Sequence, residues 1–119
     1  MIQMKTLINV LFSIFFIIAI GVHIYNVAIQ PDGNPFWWHG IYFITYGICW
    51  WMVFSRINYR SLLYASMAIF PFITHFYYGY KHLVLLDSTF WICLIVCILL
   101  PLGFFWVKNT TQHNSTIFS

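Results

Sequence analysis

The chain has 119 residues, of which 62% are hydrophobic, 23% aromatic and 6% charged, against roughly 25% charged in soluble domains. A single water-soluble domain of this length leaves too much surface exposed to hide so many apolar side chains, so lipid is the expected solvent. A net charge of +3 carried by scattered basic residues excludes a nucleic-acid footprint, and three cysteines without CxxC spacing (Cys49, Cys93, Cys97) exclude a disulfide framework or a thiolate zinc site.

Four apolar runs follow in order: 7–29, 36–54, 62–80 and 90–107. Each has the roughly 17–25 residues needed to cross a bilayer, and backbone groups in hydrocarbon must be satisfied within a helix. The continuous apolarity of the runs argues against a barrel, whose strands alternate. The connections are short, so neighbouring helices run antiparallel. The predicted fold is therefore all-α, a polytopic antiparallel four-helix transmembrane bundle spanning 1–107, with a polar tail over 108–119. Lys5 and Ala19-Ile20-Gly21 loosely resemble a cleaved signal segment, but the first run continues to Ile29 and is read as a retained helix.

Lys5, Arg56, Arg60 and Lys108 fall at the end that carries the termini, with Lys81 alone at the other. That bias predicts cytoplasmic termini. The sequons at Asn109 and Asn114 would then stay unglycosylated. Pro71 and Pro101 each remove one helical hydrogen bond, freeing the carbonyls of Met67 and Cys97. The Pro71 kink would help to aim His75, four residues on.

The polar residues concentrate near the first and third connections. His23, Asn26 and Gln30 share one helical stripe, as do His39, Tyr42 and Tyr46, and His75, Tyr78 and His82. A rise of about 1.5 Å per residue puts His23 about 9 Å, His39 about 4 Å and His75 about 7 Å inside their helices. His82 falls just beyond its own. Polar groups in a bilayer turn towards protein, so these stripes predict a pocket near the outer leaflet, rimmed by Asp32 and Asp87. The fourth helix offers Thr89, Cys93 and Cys97 and reads as a wall. The bland alternative is an interfacial aromatic belt, with Phe36, Trp37, Trp38, Tyr77, Tyr78 and Tyr80 as members.

Neutral imidazole binds zinc, copper and iron. The expectation is a metal ion held by His23, His39, His75 and His82, or a b-type haem between His23 and His75 with Tyr42 and Tyr78 against it. The chain would then serve as a small subunit, with the lipid bilayer and other membrane subunits as partners and no nucleic acid. Rival expectations are a binding or isomerase-like module for an apolar molecule of quinone or sterol type, and a purely structural accessory subunit. No HExxH motif and no glutamate occurs, so paired-carboxylate catalysis is unsupported. The layout is similar to that of DoxX-like and sterol-isomerase-like four-helix modules. The size is similar to that of small multidrug-resistance transporters, whose intramembrane glutamate has no counterpart here.

Overall fold

The computed structural model describes residues 3–29 and 33–118, with side chains through residue 110. It contains α1 (Met4–Ala28), α2 (Phe36–Phe54), α3 (Arg60–Lys81) and α4 (Ser88–Phe118). The all-α expectation holds. The backbone of α4 remains helical to Phe118, through the stretch read from the sequence as a polar tail. Gln30 and Asp32 lie outside the described residues.

Contacts along the chain fix the topology. Ser13 meets Trp50 while His23 meets His39, so α1 and α2 are antiparallel. Cys49 meets Tyr64 and Tyr42 meets Thr74, so α2 and α3 are too. Tyr64 reaches Leu100 and Gly79 lies against Cys93, so α4 reverses again. Close backbone packing joins α1 to α2, α2 to α3 and α3 to α4. The seam that would close the ring, α1 on α4, is not among these close pairings. Those two helices meet near the termini, where the Trp106 indole donates to the Asn9 side-chain carbonyl at 2.8 Å.

Polarity is distributed inside out. Helix α1 exposes Leu7, Leu11, Ile14 and Ile18 while burying Phe16 and His23. Helix α4 exposes Trp91, Ile95, Ile98 and Phe105. The buried set includes Tyr42, Tyr46, Tyr64, His39, Thr45 and Arg60. Water-soluble monomers rarely expose contiguous apolar surface on this scale.

Two segments, α1 and Ser88–Thr110 of α4, are long and apolar enough to cross a membrane by length and composition. The other two expected spans form helices at the expected places. Their tryptophan, tyrosine, histidine and serine content, with Arg60 in α3, leaves them short of that apolarity.

The terminal end of the bundle is tightly knit. Arg60 is 4% exposed, and its guanidinium donates to the carbonyls of Met52, Val53 and Ser55, at 3.3, 3.3 and 2.7 Å, and to that of Val107 at 3.1 Å. It also donates to the Thr110 hydroxyl. The last carbonyls of a helix have no intrahelical donors, so one rigid fork satisfies the end of α2 and ties it to α4. Nearby, the Tyr64 hydroxyl donates to the Leu100 carbonyl at 2.9 Å and lies so close to Gly103 that a methyl group there would collide with it.

Candidate functional site

Three expected histidines converge at the opposite end. Antiparallel pairing brings His23 late in α1 level with His39 early in α2 and His75 late in α3. His23 is 9% and His39 2% exposed. Their Nδ1 atoms are 2.9 Å apart, so a proton on one ring is donated to the other. The Tyr42 ring stacks on His23, with centroids 4.1 Å apart, and lies 5.4 Å from His75. His23 and His75 are 6.3 Å apart and perpendicular. Tyr42 is itself held by α3, its hydroxyl donating to Thr74 Oγ1 at 2.5 Å.

His75 Nδ1 lies 2.7 Å from the Pro71 carbonyl. A carbonyl can only accept, so Nδ1 carries the proton. In the neutral ring Nε2 is then an acceptor. One helical turn below, the Pro71 carbonyl thus fixes the tautomer.

Tyr46 is fully buried, with its ring 6.4 Å from that of His75. Both side chains line one space.

That space is a cleft of about 250 Å³ where α1 and α4 part. Phe15, Ala19 and Val22 form one wall and Ile92, Ile95 and Val96 the other, with His23, Tyr46 and His75 as the polar floor. A second cavity of about 370 Å³ shares His23 and His75 and adds Asn26, Asn34, His39, Tyr78 and Thr89. The two imidazoles thus stand between an apolar cleft and a polar vestibule. Of the fourth-helix residues expected as a wall, Thr89 and Cys93 line the vestibule. Cys97 instead lines a separate groove between α3 and α4.

His82 is placed elsewhere. It caps the end of α3, and its Nδ1 donates to Asp87 Oδ2 at 2.8 Å. Asp87 also accepts the Phe90 amide at 3.1 Å. That amide first, and the His82 bond second, hold the Asp87 carboxyl below its usual range.

Among the described residues no three of His, Cys, Asp or Glu are grouped so as to hold a metal ion. His23 and His39 turn Nδ1 towards each other rather than towards a shared centre. Tyr42 packs against both His23 and His75, the pair expected to hold a haem. Composition had singled out neither the buried Arg60, read only as a topology signal, nor Thr74. Comparison with protein-family models, with curated proteins and with solved structures returns no match to any of the three.

Proposed function

We propose that the chain is a multi-pass membrane protein whose four helices cross the bilayer, with both termini cytoplasmic, and that it binds an apolar small molecule bearing one polar head between α1 and α4. The apolar outer faces of all four helices support the membrane reading. So does the grouping of Lys5, Arg56 and Lys108 at the terminal end. Helices α2 and α3 are the more polar pair because they supply most of the buried interior. A neighbouring helix, not lipid, meets Tyr42, Tyr46, Tyr64 and His39, whereas Tyr77 and Tyr80 near the end of α3 face outward.

The single observation that carries the binding role is the cleft itself. Its walls are aliphatic and aromatic, its floor is lined by His23, Tyr46 and His75, and it lies between the two most apolar helices. Ligand sites are generally mostly apolar concavities with a few convergent polar groups. The ligand would enter from the hydrocarbon layer with its body along Ala19 and Ile95 and its head at Tyr46 and His75.

Purification of the full chain in nanodiscs, followed by extraction and mass spectrometry, tests this reading. A defined apolar molecule is expected at near-stoichiometric amount in the native chain and is expected to be lost from Ile95→Trp, which fills the cleft. A Soret band, stoichiometric metal, or equal retention by Ile95→Trp would overturn it. Cysteines introduced at Arg56 and Val84, both exposed, should react with impermeant maleimide from opposite faces. Labelling from one face would overturn the four-span topology.

A further inference from the structure

We propose that the head group taken up in the α1/α4 cleft is a carboxylic acid, so that the ligand is a single-chain fatty acid drawn from the bilayer. The inference rests on the cleft reading and names the class of molecule that the cleft floor selects.

The first argument is donor and acceptor matching. The Pro71 carbonyl keeps the proton of His75 on Nδ1, leaving Nε2 to accept. A quinone head has only carbonyl oxygens and cannot donate to it. The Tyr46 hydroxyl can donate, and its side chain lines the same cleft. A carboxyl group offers one oxygen that donates and one that accepts. Its O–H meets His75 Nε2 while its C=O receives the Tyr46 O–H.

The second argument is charge. The titratable groups lining the two joined cavities are His23 from α1, His39, Tyr42 and Tyr46 from α2, His75 and Tyr78 from α3, and Cys93 from α4. No carboxylate lines either cavity among the described residues. Imidazoles are therefore the basic groups available to an acid. A carboxyl O–H is a far more acidic donor than an alcohol O–H, so it makes the stronger hydrogen bond to the neutral His75 Nε2, and its separate C=O is left free to accept.

The third argument is shape. A volume of about 250 Å³ lies below the roughly 300–1,000 Å³ usual for drug-sized ligands. That suits a slender chain, whose distal part can continue among the lipids through the open side, better than a rigid ring system.

The test uses the full chain in nanodiscs and tritiated hexadecanoic acid. Unlabelled hexadecanoic acid, hexadecan-1-ol and hexadecylamine compete for the site. The acid is expected to displace the tracer at a concentration at least ten-fold below that of the alcohol, with the amine weakest. His75→Gln and Tyr46→Phe are each expected to weaken the acid ten-fold or more and to change the alcohol less than three-fold, removing the preference. Ile95→Trp is expected to abolish both. Equal competition by acid and alcohol, or undiminished acid preference in both His75→Gln and Tyr46→Phe, would overturn the acid assignment and leave the cleft standing. Tracer binding that survives Ile95→Trp, or no saturable binding at all, would overturn the acid assignment together with the cleft.

Discussion

The two ends of the bundle bury polar groups in opposite ways. At the terminal end Arg60 reaches the carbonyls of α2 and α4, Trp106 closes on Asn9, and Tyr64 is bonded to Leu100. At the histidine end α1 and α4 part, and Tyr46 and His75 line the cleft between them. Two fully buried tyrosines stand in these two settings: the Tyr64 hydroxyl donates to the Leu100 carbonyl, and Tyr46 lies at the cleft floor. A polar network that satisfies itself acts as a clasp, because each unmade buried bond is costly.

The largest effect that would sharpen this contrast is expected at Arg60. Arg60→Met leaves the terminal carbonyls of α2 without donors, and a loss of about 3 kcal/mol or more is expected. Thermal unfolding in detergent measures it. Arg60→Lys should recover little, since a single ammonium cannot fork between two helices. Gly103→Ala comes next, at about 1–3 kcal/mol, because overpacking beside Tyr64 forces the helices apart. Stability near that of the native chain in Gly103→Ala would break the picture of a closed terminal end.

The tyrosine pair gives a finer comparison. Tyr64→Phe should lose about 1 kcal/mol with its hydrogen bond. Tyr46→Phe should stay within about 0.5 kcal/mol, since a side chain at the cleft floor does not tie the helix ends together. Denaturation of the two variants side by side decides it, and equal losses would contradict the proposed division of labour.

The smallest effect is expected at Asp87, where the folded state holds the carboxyl below its ordinary value. Its contribution is present above the ordinary carboxylate pKa, about 4, and is lost as pH falls through the lower folded value. The protection of the Phe90 amide, its intrinsic exchange rate at each pH divided by the observed rate, should fall over that acidic window in the native chain. In Asp87→Asn that protection should not change with pH there.

How much of this could be read in advance follows from what a linear pattern encodes. The spacing of His23, Asn26, His39, Tyr42, His75 and Tyr78 placed these residues on inward stripes, and short connections brought the stripes level. All six line the vestibule. His82 kept the spacing of its stripe but sits past the last turn of α3, where Asp87, five residues on, captures it. Arg60 was legible only as a charge, because its burial depends on the ends of α2 and α4 meeting there. The gap between α1 and α4 had no signature. Helices at opposite ends of a chain share no local pattern, and both are apolar on the facing side and on the lipid side alike.

An opening between α1 and α4 has a consequence for how affinity is counted. A guest that slips in sideways never passes through water, so its supply is set by its abundance within the two-dimensional sheet of lipid. Occupancy would then track the mole fraction of guest among its neighbours. Dilution of the vesicles in buffer would leave it unchanged, whereas dilution with inert phospholipid would empty the cleft.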